Sequence, residues 1–276
     1  MKTFSLNELT IAYQDIGHGD PIIMAHCSSA SHREWMPLAK QLKNKHRILL
    51  PDFIGYGKSD RWPTDKPFDA LADANIISQL IKMAGQPVDI IAHSYGGAMA
   101  LHAAKQHPEK IKSIHLIEPV SFLLLKLDKR KDEWNEINRL ANQVINACEE
   151  NKQSQAAKIF VQYWAGRVSW WLTPQKVKDD IISSIDKVAK EFSILTNNSV
   201  TLDYYKNLNV KVHLYVGEKT RKPTHTVIDV LNKILPDSDI TLIPKAGHMS
   251  PMTHRQTVNE LLLKKMLKYS LSNGRH

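Results

Sequence analysis

The chain has 276 residues, of which 37 are Lys or Arg and 28 are Asp or Glu, so its formal net charge is +9. It contains two cysteines, too few for a disulfide framework, which argues against a disulfide-rich secreted protein. No apolar run approaches membrane-spanning length, and the N-terminus lacks the pattern of a secretory signal, so a cytoplasmic protein is predicted. The length suits one large α/β domain with an insertion, or two smaller domains.

The positive charge is distributed along the chain. Lysines are usually interleaved with acids, as in the segment KLDKRKDEW at 126–134. This pattern is typical of solvated helix faces and favours them over a nucleic-acid-binding patch. We therefore expect neither nucleic acid nor a membrane as a partner, and the sequence leaves a homodimer open.

Short apolar runs separated by turn residues begin the chain, and a helix-periodic segment then follows. Strands are predicted at 3–6, 9–14, 21–25 and 46–50. An amphipathic helix is predicted at 68–84, before a further apolar run. This alternation is typical of an α/β protein with parallel strands.

Two loops after predicted strands contain distinctive residues. The loop after 21–25 begins with His26 and Cys27 and has Trp35 several residues on. The loop 52–60 has the sequence DFIGYGKSD, in which two glycines permit a sharp return of the chain. No third glycine follows at the spacing of a dinucleotide-binding fingerprint, so an architectural role is predicted for this second loop.

The stretch 87–107, PVDIIAHSYGGAMALHAAKQH, predicts a strand, a tight turn and a helix with no spacer between them. Ser94 lies at the turn, and Gly96 and Gly97 let the strand and helix backbones approach closely. A serine held in such a strained turn has its hydroxyl lifted clear of the sheet edge. The first turn of the helix also directs free N–H groups toward whatever the serine attacks.

The second half of the chain contains a long interruption of the strand pattern. A strand at 111–117 ends at Glu118, and from 120 to 209 the segments are helical and rich in Lys, Glu and Asn. A strand, a helix and a strand then follow, at 210–216, 227–235 and 240–243. His248 comes next, in the sequence AGHMSP, before an amphipathic C-terminal helix.

Four motifs, taken in order, resemble the α/β-hydrolase superfamily. They are the loop 26–35, the D-x-x-G-x-G-x-S pattern at 52–59, the A-x-S-x-G turn around Ser94 and the A-G-H-x-x-P pattern at 246–251. The resemblance implies the α/β-hydrolase fold, with a mostly parallel eight-stranded sheet flanked by helices. It also implies a core formed by 1–119 and 210–276, with 120–209 as a helical cap inserted after strand 6.

The resemblance implies the chemistry of acyl transfer to water. Ser94 would be the nucleophile and His248 its general base, because a serine hydroxyl is too weak a nucleophile at its own pKa. The backbone N–H groups of Ser28 and Tyr95 would form the oxyanion hole. Cys27 stands where the family usually has glycine. No base lies at a recognisable spacing from it, so a half-buried thiol is favoured over a nucleophile.

The carboxylate that orients the histidine is the point at which this chain departs from the usual pattern. The superfamily mostly places an aspartate after the seventh strand, and the aligned residue here is Thr220. Some relatives place the acid after the sixth strand, where Glu118 stands. Glu218 is the rival, two residues before Thr220, and the absence of a functional acid is the third alternative. We predict Glu118.

The expected substrate is a small-molecule carboxylic ester or thioester. Trp164, Trp170 and Trp171 are candidates to line an acyl pocket, with packing between cap helices as the alternative. No phosphate-binding glycine loop or His/Cys ligand cluster occurs, so neither a cofactor nor a metal is expected. A carbon–carbon bond hydrolase with the same triad and a non-catalytic ligand-binding protein are the competing functions.

Overall fold

A central eight-stranded sheet organises the computed structural model, which describes residues 1–63, 66–197 and 200–272, with side chains described to residue 267. The strands are β1 (Lys2–Leu6), β2 (Leu9–Ile16), β3 (Asp20–Ala25), β4 (His46–Pro51), β5 (Val88–His93), β6 (Ile111–Ile117), β7 (Lys211–Gly217) and β8 (Ser238–Ile243). Their order in the sheet is β1-β2-β4-β3-β5-β6-β7-β8. Strand β2 is antiparallel to β1 and β4, and the other neighbours are parallel. The predicted fold class is confirmed.

Helices connect the strands and cover both faces of the sheet. They are α1 (Met36–Leu42), α2 (Ala72–Ala84), α3 (Tyr95–Gln106), α4 (Leu123–Leu127), α5 (Lys131–Glu149), α6 (Gln153–Ala165), α7 (Ser169–Leu172), α8 (Gln175–Asn197), α9 (Leu202–Lys206), α10 (Lys222–Ile234), α11 (Ser250–Thr253) and α12 (Arg255–Ser272). In the part of the chain that the structure describes, no helix has the length and apolar character needed to cross a membrane.

The sheet separates two hydrophobic cores because successive strand residues point to opposite faces. In β3, Ile22 and Met24 face one core, whereas Ile23 and Ala25 face the other. Helices α1 and α12 cover the smaller core, and α2, α3 and α10 cover the larger one. Burial on both faces explains why the central strands have continuous apolar runs and no polar alternation.

Helices α4 to α9 lie between β6 and β7 in the chain and continue the larger core. Helix α5 packs against α6 and α8, and its buried stripe includes Ile137, Leu140 and Val144. These residues belong to the same hydrophobic cluster as α2 and α3. The insertion is therefore joined to the sheet by a continuous apolar interior.

Several element boundaries differ from the sequence prediction. The helix predicted at 68–84 begins at Ala72, because the Asp69 carboxylate and carbonyl accept hydrogen bonds in a preceding turn. Helix α10 begins five residues early, at Lys222, since Pro223 suits the first turn of a helix. Strand β8 also begins early, at Ser238, where it pairs with Val212 of β7.

Candidate active site

Ser94 lies at the sharp turn between β5 and α3. Its φ of 53° and ψ of −118° place it in a backbone region that non-glycine residues rarely adopt. The Ser94 N–H donates to the carbonyl of Ile117 at 2.9 Å, which holds the turn against the end of β6. A Cβ atom on Gly96 would lie 2.5 Å from the His26 carbonyl oxygen, so only glycine permits this approach. The predicted strand–turn–helix is therefore present.

Three side chains form a continuous hydrogen-bonded chain at this turn. Ser94 Oγ lies 3.0 Å from Nε2 of His248, and Nδ1 of His248 lies 2.7 Å from Oε2 of Glu118. The three residues come from the ends of β5 and β6 and from the loop after β8. Carboxyl ends of parallel strands meet at one edge of a sheet, which explains how residues 154 positions apart come into contact.

Glu118 is fully buried and has a partner for each carboxylate oxygen. Oε1 accepts the Gly217 N–H at 2.7 Å, and Oε2 accepts the Thr220 hydroxyl at 2.7 Å in addition to His248. Burial would raise the pKa of Glu118, but His248, Thr220 and Gly217 outweigh it and hold that pKa below its ordinary value. The carboxylate is therefore charged and held in one orientation.

The structure does not bring the rival carboxylate to the histidine. Glu218 is exposed and accepts the backbone N–H of Lys245 at 2.7 Å. Thr220, at the position where the superfamily usually has its acid, hydrogen-bonds to Glu118. The two predicted alternatives thus occupy different surroundings, and only Glu118 contacts His248.

His248 is placed to accept a proton from the serine. Burial lowers the pKa of the imidazole, and the hydrogen bond and charge of Glu118 offset this only in part. With Nδ1 donating to Glu118, the neutral ring leaves Nε2 free to accept from Ser94. This is the tautomer that a general base for Ser94 requires.

Of the two predicted oxyanion donors, Tyr95 follows Ser94 in the chain and Ser28 lines the same cavity as Ser94. Tyr95 is the first residue of α3, so its N–H belongs to the unpaired first turn of a helix. Ser28 follows Cys27, whose N–H donates to Oε2 of Glu34 at 2.8 Å. Among the described residues, neither the Ser28 nor the Tyr95 N–H donates to another protein group.

A buried ion pair between His93 and Glu34 contacts the backbone of His248. Nδ1 of His93 donates to Oε1 of Glu34 at 2.6 Å, and Nε2 donates to the His248 carbonyl at 3.0 Å. Burial lowers the pKa of His93, but the Glu34 carboxylate outweighs this and leaves that pKa raised. An imidazole that donates from both nitrogens is a cation. The hydrogen bond from Nε2 of this cation holds the backbone carbonyl of His248 in place.

Cys27, Glu34 and His93 bring a sulfur, a carboxylate oxygen and a ring nitrogen within 4.8 Å of one another. A metal would need the thiolate and a neutral imidazole. Burial instead raises the pKa of the Cys27 thiol well above its ordinary range, and Glu34 already bonds His93. These residues therefore fit an internally hydrogen-bonded cluster better than a metal centre.

A cavity lies next to Ser94 and His248, and both residues line it. Its remaining walls are mostly apolar and come from the segments after β6 and from α6 and α8, including Phe122, Phe160, Trp164, Phe192 and Leu195. The ring of Trp164 lies 4.1 Å from that of His248, measured between centroids. The inserted helices thus form the apolar side of the cavity, and the sheet edge forms its polar side.

Comparison with known proteins identifies the family to which this fold belongs. The sequence model of the alpha/beta hydrolase fold family matches residues 20–255. The chain belongs to this family. A match of this extent includes every strand from β3 to β8 and the whole helical insertion.

Several α/β hydrolases of known structure share the fold at low identity. An esterase from Exiguobacterium antarcticum has a TM-score of 0.75 and 19% identity, covering 93% of this chain and 95% of that one. A meta-cleavage product hydrolase from Pseudomonas fluorescens IP01 has a TM-score of 0.72 and 14% identity, covering 97% and 98%. At these identities the likeness shows the fold and leaves the reaction open.

A curated relative matches only part of the chain. The cis-3-alkyl-4-alkyloxetan-2-one decarboxylase of Shewanella oneidensis is 26% identical over 125 residues, which is 44% of this chain and 39% of the relative. The chain therefore spans about two fifths of the length of this relative. The activity of that enzyme is not transferred to this α/β hydrolase by so short a match.

Of the three tryptophans predicted near the substrate, the structure brings only Trp164 to the cavity. Trp171 is 67% exposed, and the Lys158 ammonium lies 4.8 Å from its ring centroid. Trp170 is buried within the larger core, with the Lys178 ammonium 5.5 Å from its ring centroid. Both belong to the short helix α7, which does not line the cavity.

Sequence reasoning missed a polar residue that lines the cavity from the insertion. Glu191 of α8 is 1% exposed and is hydrogen-bonded to Ser28. Its partner Lys187 lies one helical turn earlier, on the same buried face as Val188 and Phe192. Charged residues within an apolar helical stripe were the available signal, because such a stripe is normally free of charge.

Proposed function

We propose that this α/β hydrolase is a serine hydrolase that cleaves a carboxylic ester or thioester through an acyl-enzyme. The observation that carries the proposal is the hydrogen-bonded chain from Ser94 through His248 to Glu118, at the polar end of an apolar cavity. Nucleophile, base and orienting acid stand in the order that this chemistry needs.

Each residue has a defined role in the proposed reaction. Ser94 Oγ attacks the carbonyl carbon while Nε2 of His248 takes its proton, and the carbonyl electron pair moves onto oxygen. The N–H groups of Ser28 and Tyr95 stabilise that oxyanion, each by about 3 kcal/mol. His248 then returns the proton to the leaving alcohol or thiol, and water repeats the sequence to release the acid.

The cavity walls support an acyl group that is apolar. Aromatic and aliphatic side chains form most of the lining, and removal of apolar substrate surface from water there contributes about 25 cal/mol per Å². Glu118 stabilises the imidazolium that forms during attack, since its carboxylate is charged and bonded to Nδ1.

The competing functions make different demands on the site. A carbon–carbon bond hydrolase would use the same three residues, but its substrate would need a ketone whose carbon leaving group is stabilised. A non-catalytic binding protein would have no need for a serine held at a φ of 53°. The strained serine supports an enzyme over a binding protein, and activity on a panel of esters distinguishes ester hydrolysis from carbon–carbon bond hydrolysis.

The test combines covalent labelling with a substrate panel. A fluorophosphonate probe should label Ser94 stoichiometrically, and p-nitrophenyl and acyl-CoA esters of graded chain length should show a preferred acyl length. The matched control is Ser94→Ala, which should abolish both signals without loss of folding. A folded protein that neither labels nor hydrolyses any ester would contradict the proposal and favour the binding protein.

A further inference from the structure

A buried cluster of three charged residues joins the inserted helices to the core. Nζ of Lys187 in α8 lies 2.5 Å from Oδ2 of Asp73 in α2, and it lies 3.0 Å from Oε1 of Glu191, one turn later in α8. All three side chains are at most 8% exposed. We refer to Asp73, Lys187 and Glu191 as the ion latch.

The two carboxylates of the ion latch each hold one of the proposed oxyanion residues by its side chain. Oε2 of Glu191 accepts the Ser28 hydroxyl at 2.5 Å, and Oδ2 of Asp73 accepts the Tyr95 hydroxyl at 2.8 Å. Lys187 links the two carboxylates and is therefore the common element. Ser28 and Tyr95 are therefore connected to each other through the two carboxylates and a lysine of the insertion.

The surroundings of Lys187 favour its charged form in this one position. Its ammonium lies about 5 Å from three aromatic ring centroids: Tyr56 at 5.2 Å, Phe68 at 5.1 Å and Tyr95 at 4.9 Å. Its aliphatic stem passes over Gly55, where an added Cβ would lie 3.7 Å from Cγ. Burial lowers the pKa of Lys187, but Asp73 and Glu191 outweigh it and raise that pKa.

Stability alone is a weak reason for such an arrangement. A buried ion pair often contributes no more than a well-packed apolar group of the same volume, since desolvation offsets the attraction. The charges instead hold several elements in fixed relative positions, because each carboxylate accepts hydrogen bonds from donors in different elements. Asp73 also accepts the Ile54 N–H at 3.0 Å, and Glu191 accepts the Tyr56 hydroxyl at 2.8 Å.

We propose that the ion latch positions both oxyanion N–H groups and makes that position depend on the docking of α8. Lys187 and Asp73 do not line the cavity and act as positioning residues through their partners, whereas Glu191 lines the cavity and positions Ser28 through its hydroxyl. The inference rests on the proposed function. It means that a displaced α8 leaves Ser94 and His248 in place while the oxyanion site is disordered.

The first test separates transition-state binding from ground-state binding. A trifluoromethyl ketone with the chain of the best ester forms a hemiketal with Ser94: the Oγ–C bond forms, the carbonyl pair becomes an oxyanion, and His248 takes the proton. The corresponding methyl ketone binds without reacting. In Lys187→Met, affinity for the trifluoromethyl ketone and kcat/KM should fall by at least 10-fold, and methyl ketone affinity should change by less than twofold.

Lys176→Met is the matched control, since Lys176 is an exposed lysine of the same helix. It should leave both affinities and kcat/KM within twofold of wild type. If Lys187→Met weakens both ketones equally, the cluster only attaches the insertion and the inference is wrong. Unchanged affinity for both ketones in a folded Lys187→Met protein overturns it as well.

The second test removes the hydrogen bonds between the ion latch and the two oxyanion residues and leaves the three charged residues unchanged. Ser28→Ala combined with Tyr95→Phe removes the two hydroxyl groups that the carboxylates hold, while both N–H groups and the three charges remain. This variant should lose at least 10-fold in trifluoromethyl ketone affinity, and it decides the question if Lys187→Met does not fold. Unchanged affinity here overturns the inference.

Adding Lys187→Met to this double variant should cause little further loss, because Lys187 acts through links already cut. Losses that multiply would show that Lys187 acts by another route and would overturn the inference. A wild-type protein that hydrolyses no ester and binds no trifluoromethyl ketone would contradict the proposed function itself. If the wild type is active but the ratio of trifluoromethyl ketone affinity to methyl ketone affinity is the same in wild type and in the ion-latch variants, only the inference about the ion latch is contradicted.

Discussion

The Thr220 hydroxyl donates a hydrogen bond to Oε2 of Glu118 at 2.7 Å, and this same oxygen accepts a hydrogen bond from Nδ1 of His248. The position that usually supplies the superfamily's acid, after the seventh strand, here supplies a neutral hydrogen-bond donor to a carboxylate that follows the sixth strand. The two positions meet because β6 and β7 are parallel neighbours in the sheet.

The first prediction concerns this carboxylate. Glu118→Gln should reduce kcat by about 10⁴, because an amide holds the imidazole in the wrong tautomer and cannot stabilise the imidazolium. Glu218→Gln is the matched control and should retain most activity, since its carboxylate bonds the Lys245 N–H instead. Steady-state kinetics on the best p-nitrophenyl ester measures both. Loss of activity in the Glu218 variant alone would reassign the acid.

Thr220→Val should reduce kcat by about 10- to 100-fold, since a hydrogen bond to a charged group contributes about 1.5–3 kcal/mol. Valine keeps the shape and removes the hydroxyl that holds Glu118. Thr220→Ser is the rescue variant and should restore most of the rate. Equal activity in the valine variant and wild type would show that Gly217 and His248 hold the carboxylate without help.

The activity should persist below the ordinary pKa of histidine. His248 must be neutral to take the serine proton, and burial lowers its pKa from about 6.5. The acid limb of kcat/KM against pH should therefore have its midpoint below 6.5, with activity rising as pH increases through it. A midpoint above 6.5 would mean that the charge of Glu118 outweighs desolvation.

Trp164 and Trp171 should differ as determinants of substrate choice. Trp164→Ala enlarges the cavity beside His248 and should shift the preferred acyl chain to greater length, with a smaller effect on the shortest ester. Trp171→Ala, at an exposed position, should leave the preference unchanged. The p-nitrophenyl ester series measures both variants. Equal losses on all chain lengths in Trp164→Ala would indicate a packing role.

The His93–Glu34 pair should contribute to stability as a unit. His93→Leu leaves the buried Glu34 carboxylate without its counter-charge and should lower the free energy of unfolding by about 3–5 kcal/mol. His93→Leu combined with Glu34→Leu removes both charges and should recover part of this loss. Urea unfolding measures the variants. If the loss of unfolding free energy in the double variant equals the sum of the losses in His93→Leu and Glu34→Leu, the two side chains are not coupled.

The contribution of this pair should also depend on pH in two directions. The pKa of His93 is raised, so its contribution is complete below about 6.5 and disappears as pH rises through the folded-state pKa. The pKa of Glu34 is lowered, so its contribution is complete above about 4.5 and disappears as pH falls through the folded-state pKa. The stability difference between wild type and the double variant should therefore be greatest between these values.

The local motifs determined where the chemistry should be sought. An apolar strand, a serine and two glycines before a helix predict the turn at Ser94, because close strand–helix approach excludes larger side chains at Gly96. The alternation of strands and helices likewise predicted the parallel sheet, because the spacing of apolar residues that distinguishes a strand from a helix is a local property of the sequence. These features depend on local sterics and periodicity, which adjacent residues are sufficient to specify.

Only the tertiary structure decided how distant residues combine. Asp73 and Lys187 are 114 positions apart, and Glu118 and His248 are 130 apart. Lys187 and Glu191 stand out as charges within an apolar helical stripe, but the local sequence does not indicate that Lys187 pairs with Asp73 of α2. Which strand-end carboxylate faces His248, and which tryptophan faces the cavity, follows from the relative placement of whole elements. Side-chain direction across such distances is set by packing of the complete fold and not by adjacent residues.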